Sequence, residues 1–103
     1  NGCITPPVAD HADHVYHQYT VRVGGDRDAV RDYLARRAVG SAVYYPTPIH
    51  RLRPFLAANG QPGTWDLPQT DLAAAQVLSL PVHPSLFTLE RRQIALLSAL
   101  ACT

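Results

Sequence analysis

The chain is 103 residues long, 47% of them apolar, and carries a formal net charge of +1. This length fits one small domain with a modest core, and the balanced charge without a basic run argues against nucleic-acid binding. No stretch approaches the roughly 20 apolar residues of a membrane span, and no secretory signal is visible. We therefore expect a cytoplasmic protein without nucleic-acid or membrane partners.

The two cysteines, Cys3 and Cys102, lie near opposite ends of the sequence. A disulfide bond between them is possible if the two ends meet. In a reducing cytoplasm, however, a single pair of cysteines is more often two free thiols. We therefore expect free thiols.

Residues 1–13 are rich in proline and in small or polar side chains, which is typical of a connector. Residues 14–23 alternate in the manner of a strand, and their β-branched and aromatic content favours the same structure. One face of this strand would comprise Val15, His17, Tyr19, Val21 and Val23.

Residues 26–38 predict a helix. Asp26 is a plausible N-cap, and Gly40 is a natural stop. The side chains expected to face the core from this helix are Val30, Tyr33, Leu34 and Ala38.

The second half of the chain predicts short elements. Residues 41–45 indicate a strand, and Pro46 and Pro48 then force an extended loop. Beyond it we expect a short helix over 52–58, turns at Asn59-Gly60 and Pro62-Gly63, a helix over 68–76, a strand over 77–80, and a last helix with Thr88 as its N-cap.

Strands thus alternate with helices along the chain. This order predicts an α/β (α+β) fold, a two-layer sandwich of about three short strands with helices on one face. The strand order does not follow from the sequence.

The evenly spaced histidines His11, His14 and His17 suggest a metal site at first sight. On a strand, however, His14 and His17 point to opposite faces, and no suitably placed cysteine or acidic cluster completes a four-ligand zinc site. We therefore expect no bound metal, with His17 a core histidine and His14 at the surface.

The segment 44–50 (YYPTPIH) is the best candidate for ligand contacts. Its two prolines stiffen the backbone, so Tyr45 and His50 could present a hydroxyl and an imidazole to a sugar or phosphate. Arg51, beside His50, could meet a nucleotide diphosphate. The competing interpretation is a rigid turn that packs its tyrosines into the core, with the arginine a solvated surface charge.

No catalytic set is visible. The chain has no G-x-S-x-G elbow and no glycine-rich phosphate loop. All nine of its Lys and Arg residues are arginine, so no lysine could hold pyridoxal phosphate as a Schiff base.

Three segments in register, 14–19 (HVYHQY), 44–50 (YYPTPIH) and 77–84 (VLSLPVHP), carry a family resemblance. In this order they resemble the C-terminal part of the DegT/DnrJ/StrS family of pyridoxal phosphate-dependent sugar aminotransferases. The resemblance implies the small C-terminal domain of a fold type I enzyme over residues 14–103. Residues 1–13 would then be a connector from a missing N-terminal large domain.

The resemblance also implies a function. The family moves an amino group from an amino acid, commonly glutamate, to a nucleotide-linked keto-sugar in amino- and deoxysugar biosynthesis. The large domain would hold the cofactor, this chain alone would hold none and would not be catalytic, and the full-length enzyme would be a homodimer. Tyr45 and His50, with Arg51, are the candidate substrate contacts.

Two alternatives stay open at this point. Within the family, a pyridoxamine phosphate-dependent sugar dehydratase shares the same small domain. Outside catalysis, the chain could be a free-standing remnant or a small binding module, as the missing lysine suggests.

Overall fold

The computed structural model describes residues 2–58 and 65–103, and the turns expected at Asn59-Gly60 and Pro62-Gly63 lie outside them. In chain order the elements are β1 (Cys3–Ile4), β2 (Tyr19–Val23), α1 (Arg27–Ala35), a short 3-10 helix (Ile49–Arg51), α2 (Arg53–Ala58), α3 (Pro68–Gln76), β3 (Val77–Leu80) and α4 (Thr88–Ala101).

The strands form one antiparallel sheet in the order β1-β2-β3. In the β2–β3 pair, Tyr19 stands opposite Leu80 and Arg22 opposite Val77. Two side-chain contacts reinforce this register: the Thr20 and Ser79 hydroxyl oxygens lie 2.8 Å apart, and the Arg22 guanidinium donates to Gln76 Oε1. The sheet with its helices confirms the predicted fold class.

The core lies between the sheet and α1. Its buried apolar side chains are Val21, Val23, Val30, Leu34, Val39 and Leu78. The α4 helix adds half-buried side chains at the edge of this cluster, including Ile94 and Leu97. A core of this size positions the loops around it but leaves much apolar surface exposed.

The β2 strand is shorter than the predicted strand over 14–23. At the N-terminal end of β2, Tyr19 pairs with Leu80, which is the last residue of β3 and is followed by Pro81. Because proline cannot donate to a ladder, the pairing stops there and residues 14–18 have no partner strand. Val15 is accordingly 89% exposed, and His17 is also exposed, so the prediction of His17 as a core histidine is wrong.

The strand predicted over 41–45 is reduced to a single bridge between Ala42 and Ser79. Each residue donates its backbone N–H to the other's carbonyl, at 3.0 Å from Ala42 and 2.7 Å from Ser79. The strand prediction is wrong beyond that bridge, because Pro46 and Pro48 direct the chain into the 3-10 helix instead of along β3.

The α1 helix begins as predicted and ends earlier. Asp26 caps it by accepting a hydrogen bond from the Ala29 N–H at 2.9 Å. The end predicted at residue 38 falls at Ala35, and Ala38 takes the left-handed conformation with φ 60°. This conformation lets the Val39 N–H reach the Leu34 carbonyl at 3.0 Å, so Ala38 occupies the place that glycine usually takes after a helix.

The helix predicted over 68–76 and the strand over 77–80 are confirmed at both ends. The short helix expected over 52–58 appears as α2. The prediction of Thr88 as the N-cap of α4 is wrong by one residue. Phe87 is the N-cap, and Thr88 is the first helical residue. The Phe87 N–H donates to the Glu90 carboxylate at 2.8 Å, which gives this backbone donor at the start of the helix a hydrogen-bond partner.

Cys3 and Cys102 form a disulfide bond, so the prediction of two free thiols is wrong. Pairing of β1 with β2 brings Cys3 to the end of α4, where the two Cα atoms are 5.4 Å apart. The expectation rested on compartment alone and could not include this proximity. β1 falls inside residues 1–13, and the domain boundary after residue 13 stays a prediction.

None of the helices in the ranges 2–58 and 65–103 is long and apolar enough to cross a membrane.

Candidate substrate-binding site

The candidate loop and α3 border an apolar groove of about 670 Å³. The loop side is formed by Tyr44 to Ile49 with Leu52, and the α3 side by Thr70, Ala73 and Ala74. Val77, the first residue of β3, completes the lining. The small side chains of α3 leave the space that the loop covers.

Tyr45 is the predicted site residue that the structure places in this groove. Its side chain is 75% exposed, and its ring meets the Tyr44 ring edge-on with 5.8 Å between centroids. The competing interpretation, in which the loop packs its tyrosines into the core, does not hold for this residue. An exposed phenol on a proline-stiffened loop is available to a ligand or to another part of a larger protein.

His50 faces inward, away from the groove lining. Its side chain is only 9% exposed, and Nε2 lies 3.3 Å from Asp71 Oδ1. The geometry of this contact is not that of a hydrogen bond, and Nε2 finds no hydrogen-bond partner in the described part of the chain. Buried polar atoms in proteins usually have a hydrogen-bond partner. For His50 Nε2, that partner would be a group from outside this chain, or Asp71 after a small movement.

Arg51 is held by the same carboxylate. Its Nε donates to Asp71 Oδ1 at 3.1 Å and its Nη2 to Oδ2 at 2.7 Å, the two-pronged geometry that fixes a guanidinium most firmly. The Arg51 side chain is half exposed, so it could still meet an anion, but only in competition with Asp71.

Asp71 is the site residue that sequence reasoning missed. It lies in the first turn of α3, where an acidic side chain suits the helix dipole, and that local role gave no sign of a second one. Hydrogen bonds from Arg51 hold the pKa of the Asp71 carboxyl below its usual value; desolvation opposes this, and the arginine's charge adds to it. The same hydrogen bonds raise the pKa of Arg51.

The lowered pKa predicts a pH-dependent effect of Asp71→Asn. The ionised carboxylate stabilises the fold above the pKa it has when unfolded, and this contribution is lost as pH falls through the lower, folded pKa. We expect the variant to melt below wild type at pH 7, and the gap to close below about pH 4. Melting curves from pH 7 to 2 measure this.

Asp10→Asn, at an exposed carboxylate, is the matched control and should melt with wild type at every pH. A melting difference for Asp71→Asn that stays constant from pH 7 to 2 would contradict the ion-pair account, because it would show that the carboxylate charge is not what stabilises.

The three evenly spaced histidines do not form a metal-binding cluster in the described part of the chain. His14 Nδ1 accepts a hydrogen bond from the Tyr16 N–H at 2.9 Å, and the two rings stack. Over the described ranges, no three His, Cys, Asp or Glu side chains lie close enough together to hold a metal ion.

The residues present cannot hold pyridoxal phosphate as a Schiff base. A Schiff base needs a lysine amine, and the chain has none. What this arrangement can do chemically is bind and orient. It offers an exposed phenol, an apolar groove, and an arginine held by a carboxylate that also lies beside a buried histidine.

A sequence profile of the DegT/DnrJ/EryC1/StrS aminotransferase family matches residues 1–96. The chain belongs to this family. The crystal structure of DesV from S. venezuelae, in complex with a ketimine intermediate, is similar with a TM-score of 0.80 and 33% identity, over 98% of this chain and 27% of that one.

Two relatives are similar in sequence. One is a dTDP-3-amino-3,4,6-trideoxy-alpha-D-glucose transaminase from Streptomyces venezuelae, 40% identical over 79% of this chain and 21% of its own length. The other is a pleiotropic regulatory protein from Geobacillus stearothermophilus, 40% identical over 81% of this chain and 22% of its own length. The chain therefore spans about a fifth of the length of these relatives.

Proposed function

We propose that this chain is the small C-terminal domain of a nucleotide-sugar aminotransferase, which transfers an amino group from an amino acid to a keto-sugar. The observation that carries the proposal is the family match over residues 1–96, together with the named sugar transaminase at 40% identity. The domain itself supplies no Schiff-base lysine, so the reaction requires a large domain that binds pyridoxal phosphate.

Within that enzyme, the proposed role of this domain is to contact the nucleotide-sugar. Tyr45 offers a hydroxyl and a ring face at the rim of the groove. Arg51 offers positive charge suited to a diphosphate, and His50 stands behind it with an unpartnered Nε2. The remaining partners we propose are the amino-acid donor, commonly glutamate in this family, and a second subunit, in the cytoplasm.

The test is substitution in a full-length enzyme that contains this domain. We expect Tyr45→Phe to raise KM for a dTDP-linked keto-sugar by at least about tenfold, the loss expected from a hydrogen bond to a charged ligand, and His50→Ala to raise KM through the lost support behind Arg51. The cofactor's visible absorbance should not change, because the large domain holds it.

His11→Ala, at an exposed histidine outside the groove, is the matched control and should keep wild-type kinetics. Unchanged KM and kcat in His50→Ala would remove His50 from the site. A lost cofactor spectrum would show instead that the variant disturbs the large domain.

A second function is favoured by one observation. The relative from Geobacillus stearothermophilus is named for regulation and not for transamination. A small binding module is therefore the alternative, and equilibrium dialysis of the 103-residue chain against a dTDP-sugar separates the two. Binding by this chain alone would favour the module, whereas binding only in the presence of a large domain would favour the transaminase.

A further inference from the structure

A second cavity, of about 720 Å³, lies between α4 and the ends of β2 and β3. Both cysteines of the disulfide line it, together with Gly2 at the N-terminal side and Ser98 on the inner face of α4. Cys3 and Cys102 are themselves half-buried, so the bond borders an open space and not a closed core. A small reductant can therefore approach the sulfur atoms from the cavity.

The disulfide joins a weakly held strand, β1, to the end of α4. β1 has two residues, which pair with β2 through Cys3 opposite Val23 and Ile4 opposite Arg22. One more backbone hydrogen bond follows, from the Gly24 N–H to the Gly2 carbonyl at 3.0 Å. Ile4 is 66% exposed, so β1 buries little apolar surface besides Cys3 itself. At the other end of the bond, Cys102 is the C-cap residue that directly follows α4.

The fully buried core contains no residue of β1 or α4. Its six apolar residues all fall between Val21 and Leu78, on β2, β3, α1 and the segment after α1. β1 and α4 contribute only half-buried side chains at the edge of this cluster, such as Cys3 and Ile94. Loss of the disulfide should therefore loosen the two ends while the centre stays folded.

We propose that Cys3–Cys102 is a redox-controlled latch that fastens β1 to the end of α4. A dithiol opens it by thiol–disulfide exchange: its thiolate attacks the sulfur of one cysteine and releases the other cysteine as a thiolate, and its second thiol then attacks this mixed disulfide and releases the first cysteine. The dithiol loses two electrons and two protons and becomes a disulfide, and Cys3 and Cys102 each become a thiol. Opening frees β1, leaves the Gly24 N–H without its acceptor, and widens the cavity.

Hydrogen exchange of the 103-residue chain, with and without dithiothreitol, tests the latch. In the reductant we expect the Gly24 amide to exchange at least about tenfold faster, while the amide of Leu78 keeps its protection. The matched variant Cys3→Ser/Cys102→Ser should show the exchange rates of the reduced chain, and dithiothreitol should not change them.

Three outcomes would overturn the latch. Two titratable thiols in the chain purified without reductant would show that the bond does not form. Unchanged Gly24 exchange after complete reduction would show that the bond holds nothing in place. Loss of protection at Leu78 together with Gly24, or failure of the double serine variant to fold, would show a bond required for the whole fold instead of a latch.

Discussion

Leu34→Ala is expected to lower the free energy of unfolding by about 3 kcal/mol. Leu34 is fully buried at 0% exposure, on the face of α1 that packs against the sheet. The substitution removes three carbon atoms and leaves a cavity that this small core cannot refill. A domain of this size has a total stability of only about 5–15 kcal/mol, so the loss should be plain in urea titration.

Leu96→Ala is the matched control for this prediction, because Leu96 is an exposed leucine on α4. It should change the free energy of unfolding by less than about 0.5 kcal/mol. Equal losses in the two variants would contradict the core described above and would place α4 in it as firmly as α1.

Val23→Asp is expected to cost about 3–5 kcal/mol, enough to unfold much of the protein. The Val23 side chain is 2% exposed and has apolar neighbours from β2, α1 and β3. A carboxylate there would lose its hydration without gaining a partner, or would have to bind a proton to remain buried. The fraction folded at neutral pH, followed by circular dichroism, measures the effect.

Val15→Asp tests the same argument from the other side. The alternation of residues 14–23 places both valines on one face, whereas the structure exposes Val15 and buries Val23. We expect Val15→Asp to change the free energy of unfolding by less than about 0.5 kcal/mol. Severe losses in both variants would support the longer strand and count against β2 beginning at Tyr19.

These paired valines also show where sequence reasoning succeeds and where it stops. Short-range signals identified the cap at Asp26, the whole of α3 and the strand after it, because each depends on residues within one or two turns. The start of β2 at Tyr19 depends on its partner Leu80, which is 61 residues further along the chain and is followed by Pro81. A prediction from short sequence segments cannot include both of these residues.

The candidate site divides in the same way. The proline-stiffened loop follows from local sequence, and the three motifs together identified the family, whereas the exposure of Tyr45 was left open between two interpretations. The contacts of Asp71 with His50 and Arg51 join separate elements, so local patterns could not show them. The proximity of Cys3 and Cys102 is the extreme case, with a sequence separation of 99.

The single bridge between Ala42 and Ser79 has a consequence for how far the candidate loop can move. Two backbone hydrogen bonds tether the loop there, and the buried side chain of His50 tethers its other side. Tyr45 is three residues beyond the first tether, so its Cα can reach at most about 10 Å from that of Ala42. The loop is therefore fixed at both ends, so the Tyr45 ring can shift locally but cannot swing away from the groove.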